Sequence, residues 1–183
     1  MVRLLATAAA AAFAVGSYAY TAESPMVGGA PMFADRTIVE NAVNSADHTT
    51  LVAAVQAAGL AETLMGAGPF TVFAPTNDAF AKLRAGTVET LLKPENRETL
   101  VKILSCHVAA ANAMASDIMQ MSMAGGGQFT LETVGGCAFT VMARDGAVMI
   151  RDGQGNVATV TIADVRQSNG VIHVIDTVLL PAM

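Results

Sequence analysis

Apolar residues recur along this chain with two periods, and the change from one to the other divides it. From Asp35 the period is helical. Ile38, Ala42, Val43 and Ala46 fall on one face behind a cap at Asp35 or Thr37. Thr49 or Thr50 caps a second helix that carries Leu51, Val52 and Val55 and ends at Gly59. Ala61 to Met65 makes a short helical turn before Gly66-Ala67-Gly68-Pro69. Phe70 to Ala74 breaks the pattern. It is aromatic and β-branched on both faces, which predicts a strand buried on both sides, and Pro75, with no N–H for a ladder, ends it. Thr76 or Asn77 then caps a helix through Leu83, with Asp78 in the first turn, where the helix dipole favours negative charge. Further helical passages begin after Gly86-Thr87 and at Pro94, and one spans Ala115 to Met121. In the passage from Pro94, Leu100, Ile103, Leu104 and His107 point roughly one way.

Beyond the spacer Ala124-Gly125-Gly126-Gly127 the period becomes two. Gln128–Val134, Cys137–Ala143, Ala147–Ile150, Val157–Thr161 and Val171–Ile175 read as strands. Gly135-Gly136 and Asp145-Gly146 are two-residue hairpin signals, and Asn169-Gly170 reads as a turn that needs positive φ. Helices first and strands afterwards predict an α+β domain and not a doubly wound parallel sheet.

Composition narrows the function classes. Apolar residues make up 53% of the 183 and charged residues 14%, enough for a core without disulfide scaffolding and too little charge for a large disordered segment. Net charge is −5, and the ten basic residues are scattered singly, so no basic stripe exists for nucleic acid. Arg3 followed by the apolar run Leu4 to Val15 and the small residues Ser17 and Ala19 predicts a secretory signal over residues 1–19, cleaved after Ala19. The run is shorter than the roughly 20 residues a spanning helix needs, so no transmembrane segment is expected in the mature chain. Residues 20–34, rich in Pro, Gly, Ala and Met and without periodicity, read as a flexible lead-in to a domain over 35–183. In an exported protein the two cysteines, Cys106 and Cys137, suggest one disulfide worth roughly 3–4 kcal/mol. Two separate buried thiols are the alternative.

Two blocks carry more information than the rest. The first is Phe70 to Leu83, with Ala74-Pro75-Thr76-Asn77 followed by Ala79-Phe80. The second is Ala163-Asp164-Val165 followed by Asn169-Gly170, His173, Ile175-Asp176, Leu179 and Pro181. In this order they resemble the two blocks that define the fasciclin domain family, in its secreted single-domain bacterial form. The resemblance implies a β-sandwich wedge packed against an N-terminal helical bundle. It also implies roles in cell adhesion, matrix attachment or biofilm formation, with a cell-surface or matrix macromolecule, protein or glycan, as partner. Between the blocks the family usually carries a Tyr-His pair; here Cys106-His107 stands in its place. An Asp-Ile element linked to integrin recognition in animal relatives is replaced by Asp164-Val165, so integrin binding is not carried over. By family position Asp164 and Val165 are candidate contacts.

The residues themselves point away from catalysis. Pro75, Thr76, Asn77, Asn169, Gly170 and Asp176 read as stops, caps and turns, and His107 and His173 as hydrogen-bonded core histidines. A metal site of Cys106, His107 and His173 would need a free thiolate, which conflicts with the disulfide, so no metal or cofactor is expected. No nucleophile elbow and no phosphate loop with its lysine occurs. Met114, Met119, Met121 and Met123 lie within ten residues. They suit a partner-facing or packing patch, with Met119, Met121 and Met123 as its contacts. The second reading of Met114 to Met123 is an exported Cu(I) or small apolar ligand carrier, because thioethers favour Cu(I). The leading expectation is a secreted or periplasmic adhesion module without enzymatic activity.

Overall fold

The computed structural model describes residues 24–182. The expected signal segment, residues 1–19, lies outside them.

A parallel pair of strands, β3 (Phe70–Pro75) and β9 (Gly170–Ile175), sits between two layers. Side chains alternate across a strand, so each member of the pair serves two cores. Val72 and Ala74 of β3 and Ile172 and Val174 of β9 face a helical layer. That layer is built from α1 (Ile38–Ala42), α2 (Thr49–Ala58), α3 (Ala61–Leu64) and α6 (Arg97–Cys106), which contribute Ile38, Leu51, Leu64 and Leu104 among others. Phe73 and Ile175 face the opposite way, into a second core with Phe139, Val141, Val148 and Ile150. The expectation that Phe70 to Ala74 is buried on both sides therefore holds.

The second core is covered by an antiparallel sheet of β5 (Gln128–Glu132), β6 (Ala138–Arg144), β7 (Ala147–Arg151) and the start of β8 (Val157–Gln167). Helix α7 (Ala115–Ala124) closes it with Ile118. β8 serves both layers. Its first residues pair with β7 and the remainder with β9, and two register shifts, between Val160 and Ile162 and between Ile162 and Val165, lie in the part paired with β9. Bulges of this kind bend a strand from one sheet into the next. With the two-residue β4 (Val108–Ala109) at one edge, the strand order is β4-β3-β9-β8-β7-β6-β5. The expected α+β wedge against helices is the architecture found.

Three local expectations change. Residues 24–34 are folded onto the domain and do not form a loose lead-in. Gly28 and Gly29, both with positive φ, turn β1 (Met26–Val27) back on β2 (Ala30–Pro31), and Val27 and Met32 are buried in the first core. Helix α1 stops at Ala42, so Val43 is 52% exposed and Asn41 is buried instead. Asn169-Gly170 is not a positive-φ turn, since neither residue has that conformation. Gly170 is required by proximity: a Cβ there would stand 2.0 Å from the Phe70 carbonyl oxygen.

Any side chain at residue 170 must therefore push β9 away from β3. We expect Gly170→Ala to lower the unfolding free energy by about 3 kcal/mol, as overpacking at an unyielding contact does. Urea denaturation of the purified variant measures this, and a loss under about 0.5 kcal/mol would contradict the close approach.

Candidate binding surface

The polar residues of the two sequence blocks act as braces between elements distant in the chain. Short helices leave most of their terminal backbone groups without partners, and these side chains supply them. Thr76 caps its own helix, α4 (Asn77–Ala81), accepting from Ala79 N at 3.2 Å. Asn77 does not cap that helix. Its Oδ1 accepts from Thr50 N at 3.0 Å at the start of α2, and its Nδ2 donates to Ala46 O at 2.9 Å. Neither Thr49 nor Thr50 caps α2, as the sequence had suggested. Asn169 Oδ1 accepts from Ile38 N at 3.0 Å, the first residue of α1. Its Nδ2 donates to Leu64 O and Gly66 O at the end of α3. Asp164 sits at the β8 irregularity with φ 59°, and its Oδ1 accepts from Ala115 N at 2.7 Å, where α7 begins. Val165, beside it, has no exposed surface and packs in the first core, so it offers nothing to a partner.

The histidines follow the same rule. His107 donates from Nδ1 to Ile103 O at 2.9 Å and accepts at Nε2 from Leu179 N at 2.9 Å, which fixes its neutral tautomer. Burial pushes its pKa down to about 4, against the opposing hydrogen bond to Ile103. His173 stacks on Phe73, accepts at Nδ1 from Asp164 N and donates from Nε2 to Ala113 O at 2.9 Å. Burial lowers its pKa as well. His48, in the turn before α2, is buried and bonded to Ser45 Oγ at 2.8 Å, and burial lowers it too. Asp176 accepts from Thr159 N at 2.8 Å and meets Lys82 Nζ at 3.5 Å. Burial works against its charge, but these partners and Thr177 outweigh it and hold the carboxyl below the usual range. Sequence reasoning missed Asp152, whose carboxylate accepts from Gln154 N, Asn156 N and Leu180 N and ties a hairpin loop to the C-terminal segment. The only available signal was Asp-Gly in a turn, which does not distinguish a buried brace from a solvated loop.

Cys106 and Cys137 lie against each other at disulfide distance, with Cα atoms 5.4 Å apart, and join the end of α6 to the entry of β6. The thiolate that a Cys106, His107, His173 metal site would need is therefore engaged. Among the described residues no three His, Cys, Asp or Glu side chains converge as metal ligands, and no helix is long and apolar enough to cross a membrane. Met119, Met121 and Met123 all lie on α7. At 100° per residue Met119 and Met123 share a face and Met121 points away. Met123 is 71% and Met121 41% exposed.

The sequence matches the profile of the Fasciclin domain over residues 46–181. The chain belongs to the fasciclin domain family. "Protein sll1483" of Synechocystis sp. is 49% identical over 163 residues, covering 89% of this chain and 83% of that protein. "Cell surface glycolipoprotein MPB83" of Mycobacterium bovis is 32% identical over 172 residues, covering 91% of this chain and 70% of that one. A domain pair from the insect cell adhesion molecule Fasciclin I superposes with a TM-score of 0.71 at 21% identity, over 79% of this chain and 51% of the pair. That likeness concerns the fold. In this fasciclin domain, the residues that carry the family resemblance are the ones occupied in bracing β3, β9 and the helix ends.

Two measurements check this internal assignment. In the unfolded chain a histidine takes up its proton near pH 6.5, whereas folded His107 resists protonation until about 4. Its contribution is present in full above the unfolded pKa and is lost as pH falls through that window. We expect stability to fall by about 3 kcal/mol or more between pH 6.5 and 4, with His48 and His173 acting in the same direction and His107→Gln flattening most of the slope. Stability that stays level over that range would contradict it. The disulfide predicts no free thiol in the denatured, unreduced protein, and a loss of roughly 3–4 kcal/mol on reduction.

Proposed function

We propose that this protein is an exported adhesion module, which recognises a cell-surface or matrix macromolecule, including the matrix of a biofilm, by its surface and makes or breaks no bonds. The observation that carries this reading is the occupation of its polar motif residues. Asn77, Asn169, Asp164, Asp152, His107 and His173 each hold backbone groups of other elements. A side chain held in this way is not poised to exchange protons with a substrate. The signal-like residues 1–19 and the cell-surface and adhesion descriptions of two similar proteins support export. Affinity per module would be modest, with many copies on a surface supplying strength.

The carrier reading has less behind it. Met119 and Met123 alone share a face of α7, so that face offers a soft ion two thioethers, with Met121 turned away from them. An apolar cavity between α1, α2 and β3, lined by Ile38, Leu51, Val55 and Val72, measures about 50 Å³. Engineered cavities that admit benzene are about three times larger.

Deletion of the gene should reduce attachment and biofilm mass, and a wild-type copy should restore both. Unchanged attachment would end the adhesion reading. In the same protein, Cu(I) titrated against a competing chelator should not be retained; stoichiometric retention would favour the carrier.

A further inference from the structure

The side chains of β5 to β8 that turn away from the second core form one outward surface. Register places Gln128, Met142, Met149 and Thr159 side by side, and Thr130, Thr140, Arg151 and Val157 in the next row. All are exposed or half-exposed. A trough of about 390 Å³ crosses this face, lined by Arg144, Arg151, Met142, Met149 and Gln128 together with the glycine corner before β5. Arg144 lies one strand over and four residues along from Arg151, so their Cα atoms stand about 14 Å apart.

Both guanidinium groups are unpaired. The ion pair among the described residues is Lys82–Asp176, on another part of the molecule. Glu132 lies on the same face, two strands over from Arg151 and roughly 12 Å away, and Asp145 lies in the turn after Arg144; neither forms an ion pair. Asp152, next to Arg151 in sequence, is buried, and its two oxygens are taken by the loop it braces. In a protein of net charge −5, the lining of this trough therefore carries two cations and no acid.

We propose that this trough binds an acidic polysaccharide, with Arg144 and Arg151 engaging carboxylates several sugar rings apart. The proposal deepens the adhesion reading and rests on it. Arginine pairs with carboxylates by parallel N–H donors. The threonine hydroxyls and the Gln128 amide match sugar hydroxyls in both donor and acceptor sense. The Met142 and Met149 side chains supply apolar contact for ring faces. A protein partner fits less well. Met and Arg also occur in protein interfaces, but an interface of that kind is anchored by large buried side chains. Here the cations are separated by rows of Thr130, Thr140 and Gln128 with no aromatic anchor. Two cations are too few for nucleic acid, and no exposed apolar ridge suits insertion into a membrane.

The test measures binding of the purified full protein to alginate, a polyuronate, with dextran and phosphatidylglycerol vesicles as comparisons. Alginate should be bound and released as salt rises, and dextran ignored. The double variant Arg144→Gln, Arg151→Gln should bind alginate at least about tenfold more weakly with an unchanged melting temperature. Equal binding by the double variant, absence of alginate binding, or preference for the vesicles would each overturn the proposal. Cell attachment measured in parallel separates the two ideas. Attachment by a protein that ignores alginate removes this assignment and leaves adhesion standing, whereas deletion without effect on attachment removes adhesion itself.

Discussion

The fold depends on the approach of two backbones, those of β3 and β9. Parallel strands cannot be joined by a tight turn. Here the connection between them contains most of the domain: α4, α5 (Thr87–Leu91), α6, α7, β4 and the whole antiparallel sheet. One strand pair therefore closes a crossover that holds the chain from α4 to β8, while α1 to α3 precede it. Its residues reach into both cores, with Val72, Ala74, Ile172 and Val174 on one side and Phe73 and Ile175 on the other. Loss of that pairing would separate the helical layer from the sheet rather than loosen one of them. The lack of a side chain at Gly170 is what permits it.

Around this pair the helices are too short to manage their own ends. α1, α4 and α5 (Thr87–Leu91) have five residues each, so nearly every backbone group in them is terminal. Local caps supply some of the missing partners, Thr37 in α1 and Thr76 in α4, and remote side chains supply others, each worth about 1 kcal/mol in an exposed helix. Burial raises the cost of losing one, because water cannot replace it. Asn169 shows the consequence: one amide joins the start of α1, the end of α3 and the entry to β9. Such a residue fixes the relative position of three elements, which apolar packing alone does not specify.

The sequence displayed this arrangement unevenly. The two-sided burial of β3 was legible because aromatic and β-branched residues occupy successive positions. The four strands after Gly127 were legible because their alternation is clean. Thr37 and Thr76 cap α1 and α4 locally, as their spacing predicts. Asn77 stands where an Ncap or N1 residue would, but it serves another helix. Nothing in the chain around residue 77 shows that α2 begins beside it. The tight contact at Gly170 was hidden for the same reason, since an Asn-Gly pair looks alike whether it needs positive φ or lacks room for a Cβ. The continuation of β8 to Gln167 was masked by its bulges, which break the period of two at Asp164. At the surface, the trough was illegible because Arg144 and Arg151 become neighbours only through the register of β6 and β7.

A division of labour follows from where the polar groups went. Residues whose hydrogen bonds are all internal set the shape, and they do so by geometry that any change disturbs. The outward face of β5 to β8 is under no such constraint, because its side chains contact neither core. Replacing Thr130 or Arg151 there alters what the surface presents without altering the register that presents it. The rigidity of the sheet beneath also matters for binding. A face fixed by strand pairing loses little freedom when a ligand settles on it, so weak individual contacts are not cancelled by the cost of ordering the protein. A stiff frame with freely variable outer side chains is what a recognition module needs, and it would let a chain whose most recognisable polar residues are spent on internal hydrogen bonds present a separate surface to a partner.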